Sequence, residues 1–125
     1  MKSMKLKKMG FELTVCKVVD ITDIDLARPF YFIARTDEEL SLVCRTEDTP
    51  KSTVERDDGW FGFRIEGVLD FSLIGILSRI TSILAEHQIS IFAVSTYNTD
   101  YILVKAENCA NACKALSAAG YEVVE

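Results

Sequence analysis

Six consecutive polar residues stand between two apolar, β-branched runs in the stretch FAVSTYNTDYILVK, residues 92–105. A two-residue turn at Asn98-Thr99 accounts only for the asparagine, because Asn tolerates the positive φ that tight hairpin turns demand. The remaining hydroxyl and carboxylate groups could hold a polar ligand, and a carboxylate suits an ammonium group. The alternative is a solvated turn without a ligand. The candidate binding residues of this hairpin are Ser95, Thr96, Thr99 and Asp100.

Four cysteines and one histidine raise the question of metal binding or nucleophilic catalysis. Cys16 and Cys44 lie in strand-like runs, whereas Cys109 and Cys113 are four residues apart in a helical pattern, which is not the CxxC spacing of a zinc site. No motif links His87 to any thiol, so a Cys–His nucleophile has no support. We therefore expect free, buried cysteines that act as small hydrophobic residues, with no metal, no cofactor and no catalytic centre.

The charge balance of the chain excludes other classes of protein. A net charge of -5 and a pI near 4.9 argue against nucleic-acid binding, which depends on clustered Lys and Arg. Charged residues from Glu12 onward interrupt any signal-peptide pattern after the lysines of the N-terminus, which we expect to be a solvated, frayed segment. No window approaches the roughly 20 apolar residues of a membrane helix. The sequence thus predicts a soluble, cytoplasmic protein that binds neither nucleic acid nor membrane.

The C-terminal half shows the hydrophobic periods of alternating strands and helices. The strand GFRIEGV precedes an amphipathic helix that is capped by Ser72. Its apolar residues and His87 recur at intervals of three and four. The strands ISIFAVSTY and DYILVKA form the hairpin, and a second helix is expected from a cap at Asn108 to Ala119, with Gly120 as its stop. The last strand is YEVV. This order is βαββαβ, in which two helices cover one face of an antiparallel sheet.

The first half resembles a reduced copy of the same plan. FELTVCKVV is a strand, ITDIDL is at most a turn or two of helix, and FYFIARTDEELSLVC is another hairpin. Superposing the two hairpins places Glu39 on Asp100, which favours an internal duplication. The polar stretch Thr46–Gly59 is expected to join the halves, with a short helix beginning near Thr49-Pro50. We therefore predict an α+β chain of two units, residues 1–58 (reduced, with the linker) and residues 59–125 (complete).

The segment EGVLDFSLIGILSRITSILAEHQISIFAVSTYNTDYILVKAEN resembles the ACT domain, and in particular the small two-domain ACT proteins related to the animal cytosolic arginine sensor of nutrient signalling. DFSLIGIL and STYNTDYILV are its most specific parts. The resemblance implies tandem ferredoxin-like units and a regulatory module that binds amino acids at interfaces between paired domains. It also implies a ligand site in the loop after the first strand and the start of the first helix, formed by Leu69, Asp70, Phe71, Ser72, Leu73, Ile74 and Gly75.

The residues themselves agree with such a site. A helix N-terminus offers unpaired N–H groups and partial positive charge to a carboxylate. Gly75, expected in the first turn of the helix, would let a ligand approach closely because it has no Cβ. Asp70 and Asp100 could accept hydrogen bonds from an ammonium group. The alternative is that Asp70 and Ser72 only cap the helix.

Three classes of function follow from the sequence. The first is a regulatory module that senses a free amino acid and acts in trans on an unnamed partner protein. The second is an interaction or oligomerisation protein without a small-molecule ligand. The third, an enzyme, lacks a nucleophile motif or clustered titratable groups. Because each half is small for an independent core, we also expect a homodimer or a higher even oligomer.

Overall fold

The computed structural model of the chain describes residues 4–66 and 75–125. Within these residues the chain forms eight strands, two α-helices and two 3-10 turns. Their order is β1 (Lys5–Lys8), β2 (Leu13–Val18), the first 3-10 turn (Ile21–Asp23), β3 (Tyr31–Arg35), β4 (Leu40–Arg45), the second 3-10 turn (Thr46–Asp48), β5 (Thr53–Glu66), α1 (Ile76–Glu86), β6 (Phe92–Ser95), β7 (Asp100–Lys105), α2 (Ala106–Ala118) and β8 (Glu122–Val124). None of the helices in this part of the chain has the length and apolarity that a membrane span requires.

The chain divides into two compact units. The helical unit comprises Met1–Gly10 and Phe61–Glu125, and the inserted unit comprises Phe11–Trp60. This division differs from the predicted one, at residues 1–58 and 59–125, because β1 pairs with strands of the C-terminal half. The boundary between Trp60 and Phe61 lies within β5, so the first part of that strand belongs to the inserted unit and the last part to the helical unit.

The helical unit has the predicted βαββαβ arrangement with one additional strand. Its strands lie in the order β6-β7-β5-β1-β8, and β1 runs antiparallel to β5 and parallel to β8. Phe63 and Ile65, at alternate positions of β5, share one buried cluster with Ile80 and Leu84 of α1 and Leu116 of α2. Both helices therefore cover the same face of the sheet, which confirms the predicted α+β, ferredoxin-like fold.

Strand β1 corrects the prediction that the lysine-rich N-terminus is a solvated, frayed segment. Leu6 lies opposite Ile65 of β5, is 0% exposed and belongs to the core of the helical unit. Lys5 and Lys7 alternate with it, and alternate residues of a strand point to opposite faces. The lysines therefore do not prevent burial of the residue between them, and the strands that pair with β1 are far away in the sequence.

The helix ends agree only partly with the predicted caps. Helix α2 begins at Ala106, directly after β7, so Asn108 lies inside its first turn and is not its cap. At the other end the prediction is confirmed, because Gly120 has a φ of 101°, the left-handed conformation that commonly ends helices. His87 is not on the inner face of α1: it is the exposed C-cap, and its Nδ1 lies 2.9 Å from a carbonyl oxygen of the preceding turn.

The inserted unit repeats this plan in reduced form. Its strands lie in the order β3-β4-β2-β5, and all neighbouring pairs are antiparallel. Each helix of the plan is replaced by a single 3-10 turn, Ile21–Asp23 or Thr46–Asp48. The core is correspondingly small and consists of Cys16, Val18, Ile24, Leu40 and Leu42, with Tyr31 packed against it.

Most of the polar stretch Thr46–Gly59, predicted as a linker, has regular structure. The second 3-10 turn begins at Thr46, earlier than the helix expected near Thr49-Pro50, and β5 begins at Thr53. Arg56 pairs with Cys16 of β2, although its side chain is exposed. The backbone hydrogen bonds of a strand do not depend on side-chain polarity, so composition alone made this strand resemble a linker.

Replacing Leu6 by alanine tests the role of β1. A leucine with no exposed surface should cost about 2–5 kcal/mol of unfolding free energy when truncated, because the core loses contacts and retains a cavity. The exposed neighbour Lys5 is the control, since Lys5→Ala should change stability by less than about 0.5 kcal/mol. Equal urea midpoints for the Leu6→Ala variant and the unmodified protein would contradict the placement of β1.

Candidate functional site

The turn between β6 and β7 uses Thr96 as a structural residue. The backbone N–H of Thr96 donates to the carbonyl oxygen of Thr99 at 2.8 Å, and its hydroxyl donates to the same oxygen at 3.0 Å. The hydroxyl oxygen also accepts from the N–H of Thr99 at 3.3 Å. Turns with Thr at this position commonly close in this way. The binding role predicted for Thr96 therefore competes with a role in holding the turn.

Thr99 fixes the hairpin to the neighbouring strand. Its hydroxyl donates to the carbonyl oxygen of Ile65 in β5 at 2.7 Å. This bond places the start of β7 beside the end of β5. Ile65, which accepts the bond, immediately precedes Glu66, the last residue of that strand. The predicted hairpin residues and the strand that leads into the predicted loop are thus at the same end of the sheet in the helical unit.

Ser95 and Asp100 are the hairpin residues that remain available. They lie directly opposite each other as the last residue of β6 and the first of β7. Ser95 is exposed and Asp100 is half-buried. Within residues 4–66 and 75–125, no hydrogen bond or ion pair of either side chain is seen. Of the four candidate residues, these two can offer a hydroxyl and a carboxylate to a ligand without breaking the turn.

The predicted loop residues Leu69, Asp70, Phe71, Ser72, Leu73 and Ile74 lie outside the described residues. Gly75 is described, and it differs from the prediction. It precedes α1 as the N-cap, with a φ of 98°, and is not in the first turn of the helix. A Cβ built on it would meet no heavy atom of the described residues within 4 Å. The left-handed φ by itself favours glycine at this position.

A charged pair at the end of β5 was not singled out by the sequence analysis. Arg64 donates from Nη2 and Nε to one carboxylate oxygen of Glu66, at 2.7 and 3.0 Å. The bond to Glu66, and after it a bond to Tyr101 of β7, raises the pKa of Arg64, so its guanidinium stays charged. Both residues alternate with Ile65 and so lie on the face opposite the helices. Their alternation with apolar residues in FRIE was the only signal in the sequence.

The β3–β4 turn of the inserted unit is built like the β6–β7 turn. In each, the N–H of a threonine, Thr36 or Thr96, donates to the carbonyl oxygen three residues later, at 2.9 and 2.8 Å. Glu39 therefore corresponds to Thr99, and the predicted match of Glu39 with Asp100 is wrong by one residue. The two hairpins do not carry a carboxylate at the same place.

The burial of the following strands supports this corrected correspondence. Each strand has three consecutive buried residues, 42–44 in β4 and 102–104 in β7, and the corrected alignment superposes them. In this alignment Leu40 corresponds to Asp100. A slip by one residue would turn every side chain to the opposite face of the sheet. The predicted match superposes Leu42-Val43 on Leu103-Val104 and could not detect this, because both alignments superpose apolar residues.

The cysteines are free, as predicted. Cys16, Cys44 and Cys109 are buried and Cys113 is half-buried. A hydrogen bond to the thiol of Cys44, and then burial, raises the pKa of Cys16, whereas burial is the main cause that raises the pKa of Cys113. The same hydrogen bond lowers the pKa of Cys44, but this thiol is buried, and buried structural thiols are poor nucleophiles. Among the residues that the structure describes, no three His, Cys, Asp or Glu side chains are grouped so that they could hold a metal ion.

Comparison with known proteins gives a family and several similar structures. The sequence model of the ACT domain family matches residues 55–118, just over half of the chain. No curated protein sequence matches the chain significantly. A crystal structure of a protein from Agobacterium tumefaciens is 29% identical, with a TM-score of 0.86, and the match covers 99% of this chain and 94% of that protein.

Two more distant structures share the fold. A Vibrio cholerae protein of unknown function is 21% identical over 93% of this chain and 89% of its own length, with a TM-score of 0.65. The aspartate kinase of Clostridium acetobutylicum, an allosteric enzyme, is 12% identical over 94% of this chain and 34% of its own, with a TM-score of 0.63. At these identities the comparison concerns the fold alone.

Replacing Gly75 by alanine tests the reason for glycine at the start of α1. A Cβ at a left-handed φ costs roughly 1–2 kcal/mol, so the unfolding free energy should fall by about that amount. Gly10→Ala is the matched control, because a Cβ there also meets no described residue within 4 Å and its φ is not in the left-handed region. Chemical denaturation of both variants decides the point, and equal losses of stability would exclude the conformational explanation.

Proposed function

This chain belongs to the ACT domain family, and we propose on that basis that it is a non-catalytic regulatory protein that binds a free amino acid. The ligand would bind at an interface between ACT domains, between the segment Leu69–Gly75 of one domain and the β6–β7 hairpin of another. The chain would then act in trans, in the cytoplasm, on a partner protein.

The observation that carries this proposal is the pair Ser95 and Asp100. The two side chains lie opposite each other at the end of the sheet, and within the described residues no hydrogen bond of theirs is seen. The hydroxyls of Thr96 and Thr99, in contrast, already donate within the protein. A carboxylate beside a hydroxyl suits the ammonium group of an amino acid, since charge-assisted hydrogen bonds are roughly twice as strong as neutral ones.

The start of α1 supplies the complementary charge in this proposal. The first N–H groups of a helix lack intrahelical acceptors and carry partial positive charge, which suits the ligand's carboxylate. The first turn of α1 contains no acidic residue that would compete for these N–H groups. An amino acid could thus contact a helix start with one end and Asp100 with the other.

A regulatory role is better supported than an enzymatic one. The single histidine is an exposed helix cap whose Nδ1 lies against a backbone carbonyl oxygen, and the pKa values of the Cys16 and Cys113 thiols are raised. A catalytic acid or base needs a neighbouring group that tunes it and a cleft that excludes water. Among residues 4–66 and 75–125, His87 has no such surroundings, so we assign it a structural role.

Asp100→Asn tests the ligand role. A thermal-shift screen of the twenty amino acids first identifies the ligand, and the sequence resemblance makes arginine one candidate. A ligand that binds only the folded state raises the midpoint temperature of thermal unfolding by mass action. The substitution keeps the shape and removes the charge, so affinity should weaken by roughly 1.5–3 kcal/mol in calorimetric titration while stability is unchanged.

Glu39→Gln is the matched control, because it removes a carboxylate from the equivalent turn of the inserted unit. It should leave the affinity unchanged. Equal affinities of the Asp100→Asn variant and the unmodified protein would contradict the role of Asp100. A screen in which no amino acid raises the midpoint temperature of unfolding would instead favour the alternative function, an interaction protein without a small-molecule ligand.

We further propose that the chain forms a homodimer or a higher even oligomer. Strands β3 and β6 each pair with a single neighbour among the described residues, and Phe92 of β6 is 37% exposed. Unpaired strand edges with apolar side chains tend to associate. Light scattering at about tens of micromolar should give at least twice the chain mass of 14.0 kDa, and a monomer would contradict this proposal.

A further inference from the structure

The inserted unit lacks the helices that cover the equivalent face of the helical unit. In the helical unit, α1 and α2 bury Ile102 and Val104 of β7. In the inserted unit, residues 19–30 and 46–52 contain one 3-10 turn each. The inserted unit, as described, therefore contributes no α-helix of its own to cover the face formed by alternate residues of β2, β3 and β4.

A cleft of about 570 Å³ opens at one end of this face. Val18 and Leu40, which belong to the small core, line it together with the more exposed Ile21 and Val54. Ile21 is 42% exposed and Val54 is 54% exposed. Val54 lies where β5 shifts register against β2, and an extra residue at such a bulge is left unpaired. The cleft thus combines a buried apolar base with aliphatic side chains open to solvent.

The aliphatic residues of this face distinguish it from the same face of the helical unit. Ile33 of β3 pairs with Leu42 and is 40% exposed. By the correspondence of the two turns, Ile33 and Leu40 occupy the places of Ala93 and Asp100 in the helical unit. The inserted unit therefore has larger apolar side chains at these two places while it lacks the helices.

Charge accompanies this apolar surface. The inserted unit contains twelve Asp and Glu against six Lys and Arg, a formal charge of -6, whereas the remaining residues carry +1. The cleft is lined by more acidic than basic side chains: Asp20, Asp37, Glu38 and Glu39 against Lys17 and Arg35. An occupant should therefore present aliphatic side chains flanked by positive charge.

We propose that this face, defined here as Val18, Ile21, Ile33, Leu40 and Val54 with its acidic rim, binds a basic amphipathic helix of a partner protein. A helix with apolar residues at intervals of three and four covers a sheet face as α1 does in the helical unit. A second copy of this chain is a poorer occupant, because its inserted unit carries the same negative charge. The proposal does not depend on amino-acid binding at the β6–β7 turn.

The test titrates isotopically labelled protein with a synthetic helical peptide of about 18 residues, Leu on one face and Lys on the other, which spans about five helical turns. Amide resonances of the inserted unit around Val18, Ile21 and Val54 should shift saturably. A peptide with Glu in place of Lys, and a peptide with the same composition in scrambled order, should not cause these shifts.

Two pairs of substitutions separate the apolar and charged contributions. Ile21→Ser with Val54→Ser, and Glu38→Lys with Glu39→Lys, should each weaken binding of the basic peptide at least about tenfold. Tyr97→Ser is the matched control, since Tyr97 is a fully exposed aromatic residue of the helical unit and should not affect binding. Circular dichroism of each variant verifies that it is folded.

Several results would overturn the proposal. These are no saturable shift at about 1 mM peptide, equal binding of the scrambled peptide, or shifts confined to the helical unit. Self-association that the Ile21→Ser, Val54→Ser pair abolishes would also overturn it, because the face would then be an interface between copies of this chain.

Discussion

Two helices bury the apolar face of the sheet in the helical unit, and this burial is the constraint on which the rest of the structure depends. It selects the alternate positions of β1, β5 and β7 that are apolar, and it explains why Leu6 is fully buried between lysines. Because a strand has a period of two, the same choice sends Arg64 and Glu66 to the opposite face. The core therefore determines which polar groups are available at the surface of this unit.

The inserted unit also buries an apolar face of its sheet, but with a much smaller core. Its small core is supplemented by hydrogen bonds near the second 3-10 turn. Thr14, which is fully buried, donates to a carboxylate oxygen of Asp58 at 2.9 Å, and Asp58 accepts from the guanidinium of Arg56. Glu12 accepts from the hydroxyl of Thr46 at 3.0 Å. A buried hydroxyl that is hydrogen-bonded avoids the cost of desolvation, so these bonds help to hold a unit with few apolar contacts.

The two units share one plan but differ in the residue that follows the turn. Both hairpins retain a threonine that closes the turn, and both have three buried residues in the following strand. At the position between these features one unit has Asp100 and the other has Leu40. A carboxylate there suits a small polar ligand, whereas a leucine extends an apolar surface. The turn geometry is thus retained while the chemistry of its neighbouring residue differs.

The sequence by itself determined the features that depend on local periodicity and turn chemistry. These are the two helices of the C-terminal half, the hairpins, the stop at Gly120, the free cysteines and the ACT resemblance. Helical and strand periods are properties of neighbouring residues, so a single sequence contains them. The four hairpin residues could be selected as candidates for the same reason, whereas Gly75 was implied by the ACT resemblance.

Only the tertiary structure decided which of these residues already have partners and which strands pair. The pairing of β1 with β5 and the entry of the polar residues 53–58 into a strand depend on segments distant in sequence. The hydrogen bond from the hydroxyl of Thr99 to the carbonyl oxygen of Ile65 also depends on a distant segment. So does the correspondence of Glu39 with Thr99. Hydrogen bonds between distant strands leave no periodic signal in one chain, because each partner is chosen by the packing of the whole unit.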